Sequence, residues 1–227
     1  MSETPPLTVV FDLDGTLVET APDLIAALTV ALAADGAPPL PYEQGRDLIG
    51  AGARALVERG LEAAGRSLDT ARVDELHAIF LDHYGAHIAD GSHPYPGCVA
   101  ALDRLAAGGA KLAVCTNKIE SLARQLLDAL ALTEKFDAIV GGDTFATSKP
   151  SAEPLLGAIE RAGGDASRAV MVGDSSTDVG AAKAAGVPVV VMSFGYTVTP
   201  PSELGGDVVI DHFGELDRAI ASLTVNA

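Results

Sequence analysis

Two carboxylates, Asp12 and Asp14, follow the run Thr8-Val9-Val10-Phe11, and Gly15 and Thr16 come directly after them. Acidic side chains this close repel one another unless something positive joins them. A hard divalent cation with oxygen ligands relieves the repulsion, and Mg²⁺ suits a site of a few carboxylates working with a phosphate group. Gly15 lets the chain turn sharply without a β-carbon in the way, and Thr16 adds a hydroxyl and a backbone N–H. Taken alone, Asp and Gly after a strand also make an ordinary turn. The element that must position these groups is the run before them: apolar residues without alternation predict a strand buried on both faces of a parallel sheet. Ligands of open α/β sheets bind outside the carboxyl ends of such strands, which is where Asp12 and Asp14 would stand.

The next elements read as helices. Thr20 is the expected N-cap of the first, with Pro22 in its first turn and Leu24, Leu28 and Leu32 at helical spacing, and Pro38-Pro39 ends it. Further helices are expected over 44–49, 53–64 and 70–87, with no strand pattern among them. From Pro96-Gly97 the chain alternates: helices 99–107, 119–131, 152–162 and 178–185 precede strands 110–115, 137–140, 168–172 and 187–192, and a strand at 207–210 precedes a last helix. This alternation predicts an α/β fold, a doubly wound parallel sheet of five to six strands. The helical block between the first strand and the rest is then an insertion at the mouth of the sheet. Residues 1–17 and 94–227 form the expected core, 18–93 an all-helical cap domain, with hinges at 17–22 and 93–97.

Other strand ends carry polar groups too. Leu112-Ala113-Val114-Cys115 ends at Thr116-Asn117, where a hydroxyl, an amide and backbone N–H groups could hold phosphate oxygens, or simply cap a helix. Ser148-Lys149-Pro150 puts a lysine in a loop that leads into a helix. Val170-Met171-Val172-Gly173-Asp174 is a second buried strand that ends in acid, and Asp178 opens the helix after it.

In this order, Asp12-Leu13-Asp14-Gly15-Thr16, Thr116, Lys149 and Gly173-Asp174 through Asp178 resemble the four motifs of the haloacid dehalogenase-like phosphatases. The resemblance implies that Asp12 is a nucleophile that forms an aspartyl phosphate, and that Asp14 serves as general acid and then general base. Thr116 would bind the transferring phosphoryl group, with Gly15, Thr16 and Asn117 beside it, while Lys149 orients Asp12. Mg²⁺ would be held by Asp12, Asp14 (through its backbone carbonyl) and Asp174, with Asp178 behind them holding water or Lys149. Asp143, after Gly141-Gly142, either contributes to this shell or shapes its loop. Dehalogenase relatives lack an acid at the position of Asp14, so its presence favours phosphoryl transfer over carbon–halogen cleavage.

The segment Leu48-Ile49-Gly50-Ala51-Gly52-Ala53-Arg54-Ala55-Leu56 resembles the cap loop of bacterial phosphoglycolate phosphatases. Gly50 and Gly52 would let backbone approach a small ligand and Arg54 would pair with a carboxylate, or the glycines make a plain helix–helix turn and Arg54 faces solvent. The implied reaction is 2-phosphoglycolate to glycolate plus phosphate; pyrophosphate, a nucleotide monophosphate or a sugar phosphate are the alternatives. Lys111 is the first lysine, so the cap has none. That disfavours the Schiff-base chemistry of phosphonoacetaldehyde-cleaving relatives and the chemistry of β-phosphoglucomutase-like relatives, which also place a lysine in the cap. A non-enzymatic phospho-acceptor switch is disfavoured by Asp14, which would shorten the life of an aspartyl phosphate.

Composition bounds the partners. In 227 residues, 48% are hydrophobic and 20% charged, as in a folded globular chain, and a net charge of −16 argues against nucleic acid and anionic membranes. The expected partner is a small anionic phosphorylated metabolite. Cys98 and Cys115 are the two cysteines, which suits a reducing compartment, and the start Met1-Ser2-Glu3-Thr4-Pro5-Pro6 has no export-signal pattern. A cytoplasmic monomer or homodimer is expected.

Overall fold

A computed structural model describes residues 5–67 and 69–224, so most of the stretch read for an export signal lies outside the described residues. In chain order the elements are β1 (Thr8–Phe11), β2 (Val18–Glu19), α1 (Ala21–Ala34), α2 (Tyr42–Arg46), α3 (Ala53–Ala63), α4 (Thr70–Ala86) and β3 (His93–Pro94). There follow α5 (Cys98–Ala107), β4 (Lys111–Cys115), α6 (Glu120–Ala129), β5 (Ala138–Val140), α7 (Ala152–Arg161) and β6 (Ala169–Gly173). The chain closes with α8 (Ser176–Ala185), β7 (Val189–Met192), β8 (Val208–Ile210) and α9 (Leu216–Thr224).

Six strands form one sheet in the order β5-β4-β1-β6-β7-β8, every pair parallel. This is the expected doubly wound α/β architecture, at the upper strand count. The chain builds outward from β1 through β4 to β5, then crosses over to β6, so the direction of winding reverses at β1. Phe11 pairs with Val114 on one side and Val172 on the other, which brings the residues after these strands out at one level of one edge. Open α/β sheets bind ligands at such a reversal.

Side chains alternate across the sheet with the two-residue period of a strand. Val9, Phe11, Leu112, Val114, Val170 and Val172 enter one buried cluster; Val10, Ala113, Cys115 and Met171 enter the other. Burial on both faces is why these strands read as unbroken apolar runs. The first cluster continues into the insertion through Leu28, Leu56, Leu76 and Phe80, so helices and sheet share one apolar continuum. Gly60 lets α3 approach α1: a β-carbon there would lie 2.6 Å from Leu28 Cδ1.

Three local expectations are corrected. The helix expected at 44–49 is Tyr42–Arg46, started by Pro41. Thr20 does not cap α1 with its side chain; its hydroxyl donates to Asp14 Oδ1 at 2.7 Å instead. Finally, β2 and β3 form a small antiparallel ribbon, Val18 opposite Pro94 and Glu19 opposite His93, where no strand was expected. Two-residue strands are too short to display alternation. The ribbon ties together the two chain crossings into the helical insertion, and the Asp23 carboxylate strengthens it by accepting from the Gly91 and Ser92 amides and the Ser92 hydroxyl. Among the described residues no helix is long and apolar enough to cross a membrane.

Candidate active site

The strand ends deliver their side chains to one buried cluster. Asp12 follows β1, and its Oδ1 lies 2.8 Å from the ammonium of Lys149, a contact off the hydrogen-bonding direction that leaves Oδ1 without a hydrogen-bond partner. The same ammonium donates to Asp178 Oδ1 at 2.6 Å. Asp178 Oδ2 accepts from the Asp174 and Ser175 amides and the Ser175 hydroxyl, so this carboxylate closes the first turn of α8 and aims Lys149 at the same time. Burial works against the Lys149 ammonium, yet Asp12 and Asp178 outweigh it and hold the charge well above the usual lysine range.

Asp174 follows β6 and is held from two sides. Thr16 donates its hydroxyl to Oδ1 at 2.6 Å, and the Tyr196 amide donates to Oδ2 at 2.8 Å. Gly15 makes this approach possible: it adopts φ +82°, and a β-carbon there would stand 2.7 Å from Asp174 Oδ2. Gly195, after β7, is equally committed, since its β-carbon would come within 2.1 Å of Asp174.

Charge in this cluster is unbalanced. Oxygens of Asp12, Asp174 and Asp178 lie within 4.8 Å of one another, with Lys149 the one ammonium among them. Burial, opposed by Lys149 and reinforced by Asp178 and Asp14, pushes the Asp12 carboxyl up to about 7. Burial together with Asp178 and Asp12 pushes Asp174 up to about 8. Carboxylates that resist ionisation and an orphaned buried oxygen on Asp12 suit a site for a cation, and an all-oxygen donor set suits a hard divalent one. Asp12 Oδ1 is unpartnered and each Asp174 oxygen accepts a single hydrogen bond, which leaves lone pairs for it, whereas Asp178 is engaged by Lys149 and three donors at the start of α8.

Asp14 points the other way, towards the insertion. Its Oδ1 accepts from Thr20 and sits 3.0 Å from the ammonium of Lys118, which also donates to the Tyr84 hydroxyl of α4 at 2.8 Å. Lys118 is absent from the sequence-based site. A lysine after Thr-Asn reads as a loop residue, and only the need of Asp14 for a counter-charge hinted at it. Asp12, Asp14, Thr116 and Lys118 line one side of a cavity of about 30 Å³, and Ile49, Leu56, Phe80 and Tyr84 of the insertion line the other. That is room for about two waters.

Thr116 is buried, and its Oγ accepts from the Lys118 amide at 3.2 Å. Asn117 spends its side chain on structure: Oδ1 accepts from the Lys149 amide at 3.0 Å, and Nδ2 donates to the Lys149 carbonyl at 3.2 Å and the Gly50 carbonyl at 3.4 Å. It thereby joins the lysine loop to the glycine loop of the insertion. Gly50 and Gly52 do line the cavity, both at positive φ. Arg54 does not. It lies at the surface with its side chain 42% exposed, paired with Asp74 and with Glu58 one turn along α3. The expectation that Arg54 meets a substrate carboxylate is therefore corrected. Asp143 accepts from the Glu120 amide at 2.7 Å, so it shapes the start of α6 and stands away from the acidic cluster.

Comparison with known proteins shows the family of the chain. A family model for haloacid dehalogenase-like hydrolases matches residues 9–192. A Caulobacter vibrioides protein named phosphoglycolate phosphatase is 50% identical over 216 residues, covering 95% of this chain and 91% of that protein. An Agrobacterium fabrum protein of the same name is 48% identical over 211 residues, covering 93% of this chain and 91% of its own length. Among solved structures, one from Haemophilus somnus, described as a "predicted phosphoglycolate phosphatase", superposes with a TM-score of 0.87 at 28% identity over 96% of this chain and 99% of that one.

Proposed function

Because this chain belongs to the haloacid dehalogenase-like hydrolases, we propose that it is a Mg²⁺-dependent phosphomonoesterase that works through an aspartyl phosphate on Asp12 and converts 2-phosphoglycolate to glycolate and phosphate. The observation that carries the reading is the convergence of Asp12, Lys149, Asp174 and Asp178 on one sheet edge, with Asp14 and Thr116 on the adjoining cavity.

Asp12, Asp174 and the Asp14 backbone carbonyl would hold Mg²⁺, which supplies the positive charge that lets one anion attack another. Asp12 attacks phosphorus, the bond to the ester oxygen breaks, and its electron pair leaves with that oxygen. Asp14 gives the leaving oxygen its proton. The resulting Asp14 carboxylate then takes a proton from water as that water attacks the aspartyl phosphate; the bond between phosphorus and Asp12 breaks, and both residues return to their starting states. Thr116 and the amides after it hold the transferring oxygens, and Lys149, aimed by Asp178, keeps Asp12 oriented.

The helical insertion, residues 18–93, acts in this reading as a cap that moves on hinges at 17–22 and 93–97. The narrow cavity between it and the sheet supports that assignment, since a substrate needs more room than about two waters. Cys98 and Cys115 are free and buried, with thiols pushed up to about 12 by burial, which suits a reducing cytoplasm.

Phosphate release across a panel of phosphomonoesters, with and without Mg²⁺, tests the proposal. Metal-dependent turnover with 2-phosphoglycolate preferred by about tenfold or more agrees with it; a flat profile overturns the dedicated substrate, and no release at all overturns the phosphatase.

A further inference from the structure

We propose that Lys118 is the specificity-determining residue of the site, recognising a carboxylate carried by the substrate next to its phosphate. The proposal rests on the phosphatase reading and deepens it by assigning the residue that selects esters with a second anionic group one carbon from the ester oxygen.

Among the described residues that line the cavity, Lys118 is the one cation. Lys149 stands behind Asp12, with a carboxylate on either side. Arg54, the other candidate for a carboxylate partner, is occupied at the surface. The Lys118 side chain is 5% exposed, and its ammonium has three N–H groups to place. Asp14 Oδ1 at 3.0 Å and the Tyr84 hydroxyl at 2.8 Å take two; no acceptor for the third exists among the described residues. The cavity thus contains an ammonium with an unused donor.

Position and surroundings say what that donor is for. Lys118 lies two residues after Thr116 and its amide donates to the Thr116 hydroxyl, so both belong to the loop after β4. Its ammonium lies 3.0 Å from Oδ1 of Asp14, the acid that would protonate the ester oxygen, so a group held by Lys118 stands close to that oxygen. The opposite wall is largely apolar, with Ile49, Leu56 and Phe80 of the insertion, and in such surroundings a charge pair is strengthened while an unmatched donor costs free energy. A carboxylate satisfies Lys118; an uncharged group of the same size leaves its donor bare. Tyr84 fixes the ammonium from the insertion, with Nζ 4.4 Å from its ring centroid as well as hydrogen-bonded to its hydroxyl, so the recognition element is complete only when the insertion packs against the sheet.

The test compares kcat/KM for 2-phosphoglycolate and 2-hydroxyethyl phosphate, which lacks the carboxylate, in wild type, Lys118→Met and Tyr84→Phe, with Mg²⁺ present. The wild type is expected to favour the carboxylate by about 100-fold or more, because a site built around a polar group rejects the analogue lacking it. In Lys118→Met that ratio falls to within about tenfold, chiefly through KM for 2-phosphoglycolate, and Tyr84→Phe lowers it by about three- to tenfold. Should Lys118→Met fail to fold by thermal melting, Tyr84→Phe decides: an unchanged ratio overturns the proposal. Equal loss on both esters in Lys118→Met also overturns it, leaving the phosphatase reading intact, since Lys118 would then serve only Asp14. A wild type that hydrolyses neither these esters nor any other overturns the phosphatase reading itself.

Discussion

A β-carbon on Gly15 would lie 2.7 Å from Asp174 Oδ2, so the turn after the first strand and the carboxylate after β6 are packed to direct contact. Gly15 also adopts φ +82°, where other residues are strained. Gly15→Ala is expected to destabilise the fold by about 1–3 kcal/mol and to raise the Mg²⁺ concentration for half-maximal activity by about tenfold or more. Thermal denaturation and metal titration read the two effects, and wild-type behaviour in both would show that the close approach carries no weight.

Thr16 tests the hydrogen bond to the same carboxylate without changing shape. Its hydroxyl donates to Asp174 Oδ1 at 2.6 Å, and Thr16→Val keeps the volume while removing the donor. Loss of a group that orients a metal ligand costs about 10–100-fold in metal affinity or activity. The expected signature is a higher Mg²⁺ requirement with kcat largely recovered at saturating metal.

The pH dependence of stability follows from the two raised carboxyls, Asp12 at about 7 and Asp174 at about 8. Both are acids with a folded pKa above the unfolded value, so between roughly pH 4 and pH 8 the folded state binds more protons, and stability falls as pH rises. The metal-free protein is expected to melt at lower temperature at pH 8.5 than at pH 6. Mg²⁺ competes with those protons, so the stabilisation it gives grows over the same range. A metal-induced shift in Tm that is larger at pH 6 than at pH 8.5 would contradict this.

Tyr196 ties the metal side of the site to the entrance of the insertion. Its hydroxyl accepts from the Thr20 amide at 2.6 Å and the Ala21 amide at 3.0 Å and donates to Glu19 Oε1 at 2.6 Å. Tyr196→Phe leaves two buried N–H groups without that acceptor, for an expected loss of about 1–3 kcal/mol in urea or thermal unfolding. A variant as stable as the wild type would mean that water replaces the hydroxyl.

How much of this was legible in the sequence depends on the reach of each interaction. The sheet was readable because strands buried on both faces leave unbroken apolar runs, and Asp12 and Asp174 stand where two of those runs stop. For Arg54 two readings stood open, and the signal that decides between them was present: Glu58, four residues on, marks the solvent face of α3. Lys118 was not legible, because its direction is decided by Tyr84 on a distant helix. Tyr196 likewise needs the loop after β7 folded over Asp174 before its hydroxyl has any role, and the ribbon of β2 and β3 is too short to carry a pattern.

The claim on which the account turns is that Asp12 takes the phosphoryl group, and replacing it with the near-isosteric amide tests this most directly. Phosphate release from 2-phosphoglycolate at saturating Mg²⁺ should fall by about 10⁴-fold or more in Asp12→Asn, with the thermal unfolding profile of a folded protein retained. An Asp12→Asn protein that turns over at a rate within tenfold of the wild type would contradict it.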